Sequence, residues 1–89
     1  MAYQLTFTDR FQKHFSTLTD NEKSQLCRKL ELLVENPQHP SLRAKRIQGT
    51  RDLFEFSVNM SIRVIWFYEN HQMIILLDVG HHDILKKYR

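Results

Sequence analysis

Residues 53–80 read Leu-Phe-Glu-Phe-Ser-Val-Asn (53–59), Met-Ser (60–61), Ile-Arg-Val-Ile-Trp-Phe-Tyr (62–68), Glu-Asn-His-Gln (69–72) and Met-Ile-Ile-Leu-Leu-Asp-Val-Gly (73–80). Three runs dense in β-branched and aromatic residues, parted by two short polar breaks, predict three consecutive antiparallel strands, a β-meander. The middle run is apolar at almost every position, the pattern of a central strand covered on both faces. Its one charge, Arg63, is costly to desolvate there, so the side chain must leave by an open face or meet a partner. Alternation in the first run puts Leu53, Glu55, Ser57 and Asn59 on one face and Phe54, Phe56, Val58 and Met60 on the other. The aromatic face needs cover from helices, which leaves Glu55 and Ser57 on an uncovered side. If Ile62, Val64, Trp66 and Tyr68 join the core, Arg63 emerges beside Glu55, in a hairpin register that the sequence does not fix.

Upstream of the meander, Tyr3, Leu5 and Phe7 alternate with Gln4, Thr6 and Thr8, as in a half-buried strand. Thr8 and Asp9 supply N-cap chemistry, and Phe11, Phe15 and Leu18 follow at helical spacing. A short helix is expected over 9–17, with Arg10, Lys13 and His14 left largely to solvent. Thr19 and Glu22 form a capping box, Leu26, Leu30, Leu33 and Val34 make an apolar stripe, and Asn36-Pro37 ends this second helix. Almost no linker separates the two, which implies an antiparallel helical hairpin. Lys23, Arg28 and Lys29 read as a solvated face. Residues 41–48 are basic, with an edge-like strand expected over 44–47 and a turn at Gly49-Thr50. Arg43, Lys45, Arg46 and Arg51, with no acid among them, suit a guarded sheet edge and a phosphate-contacting strip equally well. The fold class that results is α+β: an N-terminal strand and a two-helix hairpin on one face of an antiparallel sheet, closed by the meander.

The chain of 89 residues is one domain, 1–89, with 42% hydrophobic and 26% charged residues. No run approaches the roughly 18 apolar residues of a membrane helix, and no signal-peptide pattern opens the chain, so a cytoplasmic protein with no membrane partner is expected. Cys27, the single cysteine, excludes an internal disulfide and reads as a small buried helix residue. The net charge of +3 falls entirely in residues 41–89, where eight Lys/Arg face five Asp/Glu, a balance that suits a polyanionic partner. His81-His82-Asp83 invites a metal reading. Adjacent side chains on an extended chain diverge, and no distant Cys or His completes a ligand set, so no metal is expected. On residue chemistry alone the tail after Gly80 could simply fray.

The order of elements, the Ile-Arg-Val-Ile-Trp run and the closing Val-Gly-His-His-x-x-x-x-x-Tyr together resemble the RelE/ParE toxin superfamily of bacterial toxin–antitoxin modules. The likeness covers essentially the whole chain, through motifs that are individually short. For the RelE-like branch it implies a ribosome-dependent mRNA endonuclease that needs no metal or cofactor, in which the 2′-hydroxyl attacks the adjacent phosphate. Arg63 then matches the central-strand arginine that stabilises phosphate charge. His82 matches the residue acting on the leaving group, with His81 the alternative. Tyr88 matches the C-terminal aromatic that stacks on or orients a nucleotide. Arg46, supported by Lys45 and Arg43, falls where the basic strand contacts RNA, with Arg51, Lys86 and Lys87 as further contacts. Where one subtype carries lysines on the first meander strand, this chain has Glu55 and Ser57. Glu55 suits a general base, or else a partner that neutralises Arg63 or Arg51. The resemblance also implies a cognate antitoxin, a ribosome with mRNA in its decoding site, and a monomer when the toxin is alone. The alternative is the ParE branch, which poisons DNA gyrase without nuclease chemistry.

Overall fold

The computed structural model describes residues 2–88 and is α+β. Its elements are β1 (Gln4–Phe7), α1 (Asp9–Phe15), α2 (Asp20–Glu35), β2 (Lys45–Arg46), β3 (Phe54–Ser57), β4 (Ile62–Asn70) and β5 (Met73–His81), with 3₁₀ segments at Pro40–Leu42 and His82–Lys87. The strand order is β1-β5-β4-β3-β2. The meander β3-β4-β5 is antiparallel as expected, and the basic β2 is the short edge strand. The sheet as a whole is mixed, because β1 lies parallel to β5. The chain returns from β1 through both helices before the meander begins, so a strand laid on the same edge runs in the same sense.

Both helices start where capping chemistry places them. Thr8 Oγ1 accepts the Phe11 amide at 3.1 Å, and Thr19 and Glu22 make a reciprocal capping box. α1 stops at Phe15, two residues short of the expected end. There the Ser16 and Thr17 hydroxyls take the carbonyls of Lys13 and His14, which gives the backbone an alternative to another helical turn. The main core lies between the helices and one sheet face: Phe11, Leu26 and Leu33 meet Phe56, Val64, Trp66 and Leu76. Truncating a side chain such as Phe11 there costs about 3–5 kcal/mol.

Several expectations are corrected. Met60 is 91% exposed, because the β3–β4 connection begins at Val58 and Asn59 Oδ1 folds it back by accepting the Ser61 and Ile62 amides. Tyr68 sits at the core's rim. Cys27 is exposed, on a groove between the helices lined by Phe7, Phe11 and Phe15. The opposite sheet face is not open. A second cluster of Ile47, Ile65 and Leu85, flanked by Leu53, Ile84 and Tyr88, covers part of it. That cover is the C-terminal segment, which packs instead of fraying. Gly80 makes this possible, since a Cβ there would lie 2.7 Å from Ile84 Cγ2. Arg89 lies outside the described residues.

One irregularity shapes everything downstream. Ile65 pairs with Asp78 but Trp66 pairs with Leu76, so Leu77 is the extra residue of a β-bulge. Thr8 Oγ1 donates to the Leu76 carbonyl at 2.8 Å, fastening the start of α1 to the bulge.

Candidate functional site

Arg63 stands on the sheet face that the second cluster only partly covers. Register places it opposite Ser57 on β3 and Gly80 on β5. Its Nη1 donates to the carbonyls of Asn59 at 2.8 Å, Met60 at 3.2 Å and Ile62 at 3.1 Å. Its Nε faces Glu55 Oε1 at 3.8 Å. Among the described residues Nη2 has no protein acceptor, so one edge of the guanidinium is fixed and the other is available. The side chain keeps 21% of its surface exposed, and Glu55 beside it keeps 8%. Among the described residues Glu55 has Arg63 as its one partner, at a length too great for a hydrogen bond.

These two groups, with Arg43, Lys45, Ser57 and His82, line a cleft of about 300 Å³. Lys45 reaches it because it pairs directly with Glu55, sharing its face. Arg43 reaches it from the end of the Pro40–Leu42 segment, in a left-handed conformation (φ 52°, ψ 40°) that a residue with a Cβ adopts at some cost. His82 enters from the other side, its amide bonded to the Ser61 carbonyl at 2.8 Å and its imidazole exposed. Through Arg43, Ser57 and Arg63 the cleft continues into a second one of about 430 Å³, bounded by Lys29 and Asn59. Lys29 therefore belongs to this surface and not to a merely solvated helix face.

Other sequence candidates lie elsewhere. Arg46 pairs with Phe54 and so projects to the opposite face from Lys45. Arg51 is exposed in the turn before β3, and Lys86, Lys87 and His81 are exposed outside the cleft lining. No group of three or more metal-ligating side chains occurs among the described residues, and none of their helices is long and apolar enough to cross a membrane.

Tyr88 belongs to a second polar cluster that sequence reasoning did not assemble. Its hydroxyl donates to Asp78 Oδ2 at 2.7 Å and accepts from Arg10 Nη1 at 3.1 Å. His14 Nδ1 meets Asp78 Oδ1 at 2.6 Å, so Arg10, exposed as expected, and the part-exposed His14 each have a partner in this cluster. Burial first, then the bond to Asp78, holds the Tyr88 phenol above its ordinary pKa. That same phenol raises Arg10, a shift with no bearing on its charge. Asp78 is 1% exposed. The signal for it was present in the sequence: an acid inside an otherwise apolar strand needs partners just as Arg63 does.

No family profile matches the chain, and no curated protein matches it by sequence. Solved structures do. A RelE mutant from E. coli in the free state superposes with TM-score 0.77 at 23% identity, covering 99% of this chain and 92% of that one. The toxin–antitoxin complex RelBE2 from Mycobacterium tuberculosis gives 0.77 at 15% identity, covering 92% and 100%. The E. coli DinJ-YafQ toxin–antitoxin complex gives 0.77 at 14% identity, covering 96% and 98%. Across nearly its whole length, the chain has the RelE-like fold of these toxins.

Proposed function

We propose that this protein is the toxin of a toxin–antitoxin module and cleaves mRNA on the ribosome. The observation that carries the reading is the half-committed guanidinium of Arg63, which shares one cleft with a carboxylate and an imidazole. In the reaction Glu55 takes the proton of the 2′-hydroxyl as its oxygen attacks the adjacent phosphorus. Arg63 Nη2, with Lys45 and Arg43, holds the phosphorane oxygens, where fixed donors act on charge as it develops. The bond to the 5′-oxygen breaks, and His82 gives that oxygen its proton. A 2′,3′-cyclic phosphate and a 5′-hydroxyl result, with no metal or cofactor in the step. The basic rim provides sequence-independent affinity for the RNA backbone.

The partner in this reading is a cognate antitoxin. The apolar groove between α1 and α2, with Phe7 44% exposed at its edge, suits a segment that folds on contact. Two neighbours in fold, RelBE2 and DinJ-YafQ, are toxin–antitoxin complexes.

The test is His82→Ala. Cleavage on mRNA-programmed ribosomes should slow roughly 10²–10⁴-fold, with ribosome binding retained. A message carrying sulfur in place of the 5′-bridging oxygen, which leaves without protonation, should restore the rate. Failure of that rescue with normal binding shows that His82 is not the acid. A wild-type protein that leaves mRNA intact but blocks gyrase supercoiling overturns the nuclease reading altogether.

A further inference from the structure

The cluster around Asp78 carries its own inference, which rests on the reading of the cleft as an RNA-cleaving site. A carboxylate only accepts hydrogen bonds. Oδ1 takes the Val79 amide at 2.8 Å and His14 Nδ1, and Oδ2 takes the Tyr88 hydroxyl. Arg10 only donates, so the phenol oxygen must accept from Arg10 and spend its proton on Asp78. Each donor and acceptor thus has one possible role, and the phenol has one orientation. None of Asp78, His14, Arg10 and Tyr88 lines the cleft. What they hold is the far end of the segment that opens with His82.

That segment is fastened at both ends. The His82 amide bonds to Ser61 at one end, and the Tyr88 hydroxyl bonds to Asp78 at the other. Between them Ile84 rests on Gly80 and Leu85 is buried against Ile47 and Ile65. Six residues is long for a 3₁₀ segment, whose own hydrogen bonds are poor, so tertiary anchors must hold its course. We infer that Asp78 is a positioning residue: through Tyr88 it fixes the path of residues 82–88 across the sheet and so keeps His82 in the cleft beside Arg63. Arg10 and His14 orient the phenol and the carboxylate from α1, which the Thr8 hydroxyl holds against the bulge. Tyr88 acts through its hydroxyl, as a tether, and not by laying its ring on a nucleotide.

Tyr88→Phe keeps the ring and removes only the tether. With the full chain on saturating programmed ribosomes, single-turnover cleavage should slow by up to about 100-fold, the scale of a small misplacement of a catalytic group, while ribosome affinity stays unchanged. The bridging-sulfur message should restore the rate, because alignment of the acid is what has been lost. In the same variant the His82 amide should exchange its hydrogen faster than in the wild type. Asp78→Ala should behave alike, and the double variant should be no slower than the slower single one. A stacking role predicts the opposite: Tyr88→Phe cleaves like the wild type and Tyr88→Ala weakens binding, and that result overturns the tether. If the wild type cleaves no RNA, hydrogen exchange decides alone. Unchanged protection of the His82 amide in Tyr88→Phe overturns the proposal, and faster exchange upholds it.

Discussion

Glu55 and Asp78 are both carboxylates at interior strand positions on the same sheet face, and the register sets them in one cross-strand row with Ile65 between them. Strand spacing puts the two backbones about 10 Å apart. Both are buried, Glu55 at 6% exposure and Asp78 at 1%. Their surroundings differ completely. Asp78 has three donors from three parts of the chain, whereas Glu55 has one cation at 3.8 Å and a solvent-connected cleft. A carboxylate with three donors and almost no exposed surface is closed to a substrate and serves the fold. An under-partnered one, open to a cleft beside Arg63, has acceptor sites left for a substrate proton. Ile65, with Ile47 and Leu85 packed around it, stands between the two.

The sharpest way to break this contrast is to neutralise each carboxylate in turn. Glu55→Gln should slow cleavage roughly 10²–10⁴-fold, as loss of a general base does, with a denaturant midpoint close to the wild type. Asp78→Asn should lose about 1–3 kcal/mol of stability, the penalty for upsetting a buried hydrogen-bonded group. If Glu55→Gln destabilises as much as Asp78→Asn while cleavage persists, Glu55 is only Arg63's counter-ion, and the two carboxylates do the same work.

The contrast also marks how far the sequence could be read. Element types, both caps, the meander and the edge character of β2 follow from local chemistry, so period and capping rules sufficed. Arg63 could be singled out because a charge in an apolar run is conspicuous. Asp78 is equally conspicuous in Ile-Ile-Leu-Leu-Asp-Val-Gly, yet its partners sit 64 residues upstream at His14 and 10 downstream at Tyr88. Periodicity carries no information at such separations. The bulge at Leu77 was illegible for the same reason, since it exists only in the pairing of β5 with β4. A face expected to be open is half covered because Gly80 admits Ile84, a contact that depends on where the tail runs. The relation of Lys45 to Arg46 needed only the parity of a two-residue strand, once its partner was known.

That parity makes the next prediction. Lys45 stands beside Glu55 in the cleft and Arg46 on the opposite face. Lys45→Ala should reduce the salt dependence of RNA or ribosome affinity by about one phosphate contact, and Arg46→Ala should leave it nearly unchanged. Equal losses from both would mean that RNA wraps the β2 edge and reaches both faces, and the cleft would then lose its claim to be the whole binding surface.

The smallest effect tests the Asp78 side by pH. Burial, and then the bond to Asp78, raises the Tyr88 phenol above its ordinary pKa, while Arg10 pulls the other way. The folded state therefore holds the phenolic proton more tightly than the unfolded chain does. The stability that this difference supplies is fully present below the unfolded value, near 10. It is lost as pH rises from there through the folded value. Tyr68 is raised as well, by burial first and then by Tyr3, so the wild-type alkaline limb contains both rings. The difference between wild type and Tyr88→Phe isolates one of them. Denaturant midpoints measured at intervals above pH 9 should converge for the two proteins as pH climbs, because the variant has no phenol at position 88 to ionise. Parallel curves would mean that the Tyr88 hydroxyl gains nothing from Asp78 on folding, and the anchor would then rest on ring packing alone.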